Sequence, residues 1–199
     1  MRRSSRTRTT GETDIAVSIA LDGTGESSIQ TGIAFFDHML TSFCTHSRTD
    51  LRVGAQGDLE IDPHHTVEDI GITLGLTLRE AIGEGAGIRR FASPVVPMDE
   101  ARAQVALDCS GRGYLVWEGA FSAPSVGGIP VTLIEHFFYS LCINAGLTCH
   151  IVFQGRDDHH IAEAIFKAFA VALREAVIIV PGERRVSSTK GSISEKRCG

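Results

Sequence analysis

One segment occurs twice in this chain, first as Asp62-Pro63-His64-His65-Thr66-Val67-Glu68-Asp69 and again as Asp158-His159-His160-Ile161-Ala162-Glu163. Each copy opens a predicted helix, and its glutamate follows the first histidine by four residues and the second by three. Positions three and four apart are neighbours on one helical face, whereas adjacent histidines point about 100° apart. One small ion cannot easily bind both rings, so each pair is predicted to serve two metals, or one metal and a substrate.

The duplication extends beyond these motifs. Phe36-Asp37-His38-Met39-Leu40 precedes the first motif, and Ile134-Glu135-His136-Phe137-Phe138 precedes the second. Histidine and carboxylate donors repeated in register suit Zn, Mn, Fe, Co or Ni, and the absence of cysteine disfavours a structural zinc site. We therefore predict metal binding by His38, His64, His65, Glu68, His136, His159, His160 and Glu163. Asp37 and Glu135 are left between two roles, orienting these rings or placing charge at a helix N-terminus.

Composition limits the class of protein. The 199 residues are 43% hydrophobic and 22% charged, as in an ordinary globular chain that can build a core. The net charge of -5 argues against a dedicated nucleic-acid binder, although a local basic patch could hold a phosphate. Five cysteines without a Cys-x-x-Cys motif indicate buried thiols in a reducing cytoplasm. The sequence has no apolar region typical of a secretory leader and no apolar run long enough to span a bilayer, so we expect no membrane association.

The spacing of apolar residues predicts an internally duplicated α+β fold. Strands are predicted at 14–21, 28–32, 51–55, 100–109, 114–118 and 148–153, with 114–118 pairing with 100–109, and helices at 35–45, 66–82, 131–145 and 159–177. Each half therefore runs strand, strand, helix, strand, helix. We expect two small mixed sheets, each with two helices, related by a pseudo-twofold axis.

This reading also divides the chain. Residues 1–8 are predicted to be a frayed basic tail, 9–93 the first half and 94–186 the second half. Residues 187–199 form a polar tail, read either as disordered or as a mobile phosphate-binding lid.

Positive side chains suggest the charge of the substrate. Each of them alone would be read as a solvated surface charge. Together with a metal site they suggest an anionic substrate, most simply a phosphate, since arginine forks and lysine charges suit a dianion. The predicted phosphate-binding residues are Arg90, Arg112, Lys167, Ser188 and Lys190.

From residue 8 to residue 191 the chain resembles the imidazoleglycerol-phosphate dehydratase family. The resemblance rests on the segments above, with Val96-Pro97-Met98-Asp99-Glu100 and Ser188-Thr189-Lys190-Gly191. It implies a metal-dependent hydro-lyase that converts D-erythro-imidazole glycerol phosphate to imidazole acetol phosphate in histidine biosynthesis. It also implies two Mn²⁺ ions per active site, and sites built between the subunits of a 24-chain homo-oligomer. Metals on both ring nitrogens would favour the imidazolate, which can expel the hydroxyl.

The resemblance implies Glu12 as the acid–base group, beside the catalytic histidines His64, His65, His159 and His160. Asp99 and Asp108 compete with Glu12 for this role. Two other functions remain open on the residues alone. One is a dinuclear metal hydrolase acting on a phosphorylated small molecule, which would release inorganic phosphate. The other is a metal-storage assembly, which would bind metal without turnover.

Overall fold

The computed structural model describes residues 2–189 and 193. In these residues it has two main sheets of similar layout, each covered on one face by helices, and a small two-stranded antiparallel sheet, 125–126 with 129–130. The first half contains β1 (Arg3–Thr9), β2 (Thr13–Ala20), β3 (Ser27–Gln30), α1 (Ala34–Ser47), β4 (Asp50–Gly57) and α2 (His64–Ile82). The second contains β5 (Phe91–Ala92), β6 (Val95–Met98), β7 (Ala101–Asp108), β8 (Tyr114–Glu118), β9 (Ser125–Val126), β10 (Ile129–Pro130), α3 (Val131–Ala145), β11 (Thr148–Gln154) and α4 (Asp158–Ala176).

The two main sheets have the same strand order. In the first, β1, β2, β4 and β3 lie side by side, and only the β3–β4 pair is parallel. In the second, β5 and β6 both pair with one edge of β7, followed by β11 and then a parallel β8. The predicted α+β fold with an internal duplication is therefore confirmed. None of the helices in the described residues is long and apolar enough to cross a membrane.

The predicted frayed tail at residues 1–8 is wrong, because residues 3–9 form strand β1 along the edge of the first sheet. This strand contains only arginine, serine and threonine. It therefore lacks the alternation of apolar residues from which a strand is predicted. Backbone pairing with β2 and ion pairs hold it instead. Arg2 binds Asp22, and Arg8 binds Asp69. The first repeat therefore begins with β1, which stands to β2 as β6 stands to β7.

The predicted pairing of 114–118 with 100–109 is also wrong. Strand β8 pairs in parallel with β11, and β11 lies between β8 and β7. Consecutive strands often form hairpins, but here helix α3 returns the chain so that β11 inserts between them. The same insertion occurs in the first half, where β4 lies between β2 and β3.

The helices pair across the two halves. Helix α1 packs on α4, and α2 packs on α3. Aromatic rings fill the space between them, including Phe36 against Phe137 at 5.0 Å and Phe137 stacked on Phe166 at 5.7 Å between ring centroids. Such buried rings each contribute roughly 1.5–3 kcal/mol. The halves therefore share one core and fix the helix N-terminal ends relative to each other.

Candidate active site

The first donor cluster joins α1 to α4 and is called here the α1–α4 cluster. It contains His38, His159 and Glu163, whose donor atoms all lie within 4.8 Å of one another. Glu163 is only 8% exposed, and its carboxylate lies 3.7 Å from His38 Nε2 and 3.9 Å from His159 Nε2. Lys167 Nζ lies 3.3 Å from the same carboxylate and compensates a charge that would be costly if buried alone.

The second cluster, the α2–α3 cluster, is its counterpart on the other pair of helices. It contains His64, Glu68 and His136, again within 4.8 Å. Glu68 Oε1 lies 3.0 Å from His136 Nε2, and its other oxygen lies 4.0 Å from His64 Nε2. The rings of His64 and His136 stack with centroids 5.0 Å apart. Each cluster thus takes donors from both halves of the chain.

An aspartate lies shortly before each histidine pair and bonds to its backbone. Asp157 is the N-cap of α4, and its Oδ1 accepts hydrogen bonds from the backbone N–H groups of His159 at 2.8 Å and His160 at 3.4 Å. Asp62 Oδ1 accepts one from the backbone N–H of His64 at 2.6 Å, although the N-cap position of α2 is Pro63. Both histidine pairs therefore lie in the first turn of their helices.

The second histidine of each pair lies outside both clusters of its own chain. The ring planes of His64 and His65 differ by 86° with centroids 6.0 Å apart, and those of His159 and His160 differ by 90° with centroids 6.2 Å apart. His65 Nδ1 lies 2.9 Å from Asp58, and this hydrogen bond raises the pKa of the ring.

His160 has a matching partner in Glu100. Its Nδ1 lies 2.8 Å from Glu100 Oε2, which raises the pKa of His160 and lowers that of Glu100 to about 2. A carboxylate on Nδ1 fixes the ring and leaves Nε2 as the outward donor, the arrangement common for metal-binding histidines. Sequence reasoning missed Asp58 and Glu100, although Glu100 closes the quoted 96–100 segment.

The three candidate acid–base groups lie in different surroundings. Glu12, on the turn between β1 and β2, has a 55% exposed side chain with Oε1 3.7 Å from His65 Nε2. Asp99 holds a similar place beside His160 Nε2, also at 3.7 Å. Asp108 instead accepts hydrogen bonds from the guanidinium of Arg90.

The structure places the candidate phosphate-binding residues at two different sites. Arg90, Arg112 and Ser188 line one open cavity of about 630 Å³, together with Ser187 and Thr189. Thus residues 187–189 of the predicted polar tail pack beside the arginines. Lys167 lies instead beside the α1–α4 cluster, where it pairs with Glu163, and Lys190 falls outside the described residues.

Asp108 organises this cavity. Its two oxygens accept hydrogen bonds from Arg90 Nε at 2.6 Å and Nη2 at 3.0 Å, which raises the pKa of Arg90. Arg90 Nη1 also donates to the carbonyl of Ser187.

Asp37 accepts hydrogen bonds from the backbone N–H of Thr31 at 3.0 Å and from its hydroxyl at 2.5 Å. Its carboxylate therefore fixes the loop before α1.

Comparisons with known proteins agree on one family. The family model described as imidazoleglycerol-phosphate dehydratase (IGPD) matches residues 31–173. An imidazoleglycerol-phosphate dehydratase from Methanoculleus marisnigri is 63% identical over 193 residues, covering 97% of this chain and all of that protein. The crystal structure of the Staphylococcus aureus enzyme is 41% identical with a TM-score of 0.81, covering 89% of this chain and 99% of that one. IGPD from Pyrococcus furiosus is 38% identical with a TM-score of 0.80, covering 94% and 99%.

Proposed function

This chain belongs to the imidazoleglycerol-phosphate dehydratase family, and on that premise we propose that it removes water from imidazole glycerol phosphate. The product is imidazole acetol phosphate, and the step belongs to histidine biosynthesis. The observation that carries this function is the pair of His₂Glu clusters on the two helix pairs. Imidazole has two ring nitrogens, and each of them can bind one metal ion. A substrate with this ring therefore suits a protein with two metal-binding clusters.

The donor chemistry of the clusters fits divalent manganese. Each cluster offers two imidazole nitrogens and one carboxylate oxygen, a mixed set that binds Mn²⁺ as well as several other ions. We propose two Mn²⁺ ions per active site, one at each cluster. Bound ions would act as Lewis acids that favour the imidazolate form of the substrate ring, which can expel the hydroxyl.

His65 and His160 suggest that active sites are shared between chains. Among the residues that the structure describes, each cluster has three donors, and neither His65 nor His160 belongs to one. The Nδ1 atoms of these two histidines are held by carboxylates, which leaves Nε2 as the atom that could bind a metal. We propose that they complete the clusters of neighbouring chains in a 24-subunit homo-oligomer. Four of the cysteines are buried and free, which fits a cytoplasmic enzyme.

The remaining groups are assigned by their positions. Glu12 is proposed to take the proton from the middle carbon of the substrate side chain and to return it to the hydroxyl on the carbon next to the ring, which leaves as water. The enol that remains rearranges to the ketone. Arg90, Arg112 and Ser188 would hold the phosphate in their common cavity. Lys190 is proposed for the same role on the sequence alone. Lys167, beside Glu163, is proposed to reach the phosphate of a substrate bound at the clusters.

Incubation with imidazole glycerol phosphate tests this function. Protein loaded with Mn²⁺ is expected to form a ketone, while metal-free protein is not, and no inorganic phosphate is released. Release of phosphate without a ketone would identify the rival hydrolase. Metal binding without either product would leave only a storage role.

A further inference from the structure

A buried carboxylate lies next to the α2–α3 cluster but faces away from it. Asp69 directly follows Glu68 on α2 and is 6% exposed. Its Oδ1 accepts a hydrogen bond from Arg8 Nε at 2.7 Å, and its Oδ2 accepts one from Thr13 Oγ1 at 2.5 Å. Arg8 lies near the end of β1 and Thr13 begins β2. Asp69 is therefore hydrogen-bonded to both sides of the turn that carries Glu12.

The hydrogen bonds continue from Asp69 to the backbone of Glu12. Thr13 Oγ1 lies 3.2 Å from Thr10 Oγ1. Thr10 Oγ1 in turn accepts from the backbone N–H groups of Glu12 at 3.1 Å and Thr13 at 3.0 Å. An unbroken chain of contacts therefore connects helix α2 to the residue proposed as the acid–base group.

The duplication supplies an internal comparison. Ala164 follows Glu163 where Asp69 follows Glu68, and Ala101 begins β7 where Thr13 begins β2. Helix α4 packs on its sheet without any carboxylate at this place, so the fold itself does not require one. Burying a charge costs free energy that its partners must offset. At these matching positions, the buried carboxylate occurs in the half that contains Glu12 and not in the other.

We propose that Asp69 is a positioning residue for the dehydration. Through Thr13 and Thr10 it fixes the 9–13 turn against α2, so that Glu12 stays beside His65. Glu12 thereby keeps a constant position relative to His64 and His65 on helix α2. This inference rests on the proposed function, in which Glu12 moves the proton.

Threonine variants test the link with little change of shape. Thr13→Val keeps the volume but removes the hydroxyl that connects Asp69 to Thr10, whereas Thr13→Ser restores it. Thr77→Val is the matched control, because Thr77 is also buried and its hydroxyl donates to the carbonyl of Thr73 within α2, away from the 9–13 turn. Misplacing a reacting group by about 1 Å can cost on the order of 100-fold in rate. We expect kcat of Thr13→Val to fall about 10- to 100-fold, with KM, metal content and assembly unchanged.

The result has several distinguishable outcomes. Thr13→Ser should recover most of kcat, and Thr77→Val should stay within a few-fold of the parent. Added to Glu12→Gln, Thr13→Val should cause no further loss, since a group that is gone cannot be misplaced. If Glu12→Gln lowers kcat but Thr13→Val behaves like Thr77→Val, the positioning role is wrong and the proposed function stands. If Glu12→Gln has nearly normal kcat, the base assignment itself fails.

Discussion

Within each histidine pair, the two rings have separate tasks. His64 and His159 belong to donor clusters, while His65 and His160 are held by carboxylates on Nδ1. The spacing in the sequence predicts this divergence because it follows from helical geometry alone. It does not predict that His38 joins His159 or that His136 joins His64, since those partners come from helices far apart in the chain.

Glu12→Gln tests the acid–base assignment at a single atom. General acid–base groups contribute roughly 10²–10⁴ in rate, so kcat is expected to fall by a factor in that range. Metal content, assembly and KM should remain those of the parent, because the amide keeps the size of the side chain. Asp99→Asn tests the rival candidate, since Asp99 holds the corresponding place beside His160, and its kcat is expected to stay within a few-fold of the parent. Turnover of Glu12→Gln within a few-fold of the parent would return the role to another residue.

Arg112→Ala tests the phosphate cavity. Arg112 is exposed and lines the cavity with Arg90, so its loss is expected to weaken phosphate binding without disturbing the core. Hydrogen bonds to charged groups contribute about 1.5–3 kcal/mol, which corresponds to a rise in KM of roughly 10- to 100-fold. Metal content should not change. Arg52→Ala, on the outer face of the first sheet, is the control, and an unchanged KM in Arg112→Ala would contradict the assignment.

Among the elements, α2 depends on small residues at its contact with α3. A Cβ atom at Gly75 would lie 2.6 Å from the carbonyl oxygen of Leu141 and 2.8 Å from Asn144 Cβ. The helices therefore approach more closely than any side chain at this position allows. Periodicity in the sequence predicts both helices well, and 131–145 exactly matches α3 in its bounds, but it does not reveal which helices pair.

Gly75→Ala is expected to destabilise the protein by about 1–3 kcal/mol, the usual cost of overpacking a core contact. The gain in helix propensity of about 1 kcal/mol offsets only part of this strain. Gly54→Ala in β4 is the control, because a Cβ atom there meets nothing within 4 Å. Urea unfolding of both variants measures the difference. Equal stability of the two variants would show that α2 and α3 separate easily.

The edge strand β1 depends on an ion pair that the sequence pattern did not reveal. Arg2 holds the pKa of Asp22 down at about 2, from an ordinary value of 3.8. A lowered folded-state pKa gives stability that is present above pH 3.8 and is lost as pH falls toward 2. Asp22→Asn should therefore be less stable than the parent at neutral pH, with a difference that shrinks across this window.

Unfolding of both metal-free proteins in urea at several pH values measures that difference. The contribution is expected to be small, since Asp22 is 42% exposed and solvent screens the pair. Glu84→Gln, in the exposed loop after α2, controls for loss of a carboxylate. A difference that stays constant down to the lower end of the window would exclude the ion pair as its source.

For the whole molecule, metal binding should be coupled to assembly. Metal analysis of loaded protein is expected to find two ions per chain, with His38→Ala and His136→Ala each losing one. Chelation by EDTA should lower the particle mass and the thermal midpoint, because binding energy at a shared site stabilises the assembly. Addition of Mn²⁺ should restore both. An unchanged mass and midpoint after complete metal removal would contradict the sharing of sites between chains.

The crossed helix pairs have a consequence for the history of the chain. Each donor cluster draws on both halves, so a half-length ancestor with the same helices could have built a cluster only as a dimer of two identical copies. Its two clusters would then have been equivalent by symmetry. Fusion of two such copies would have let the clusters diverge, and this would account for Asp69 and Ala164 at matching positions of the two repeats.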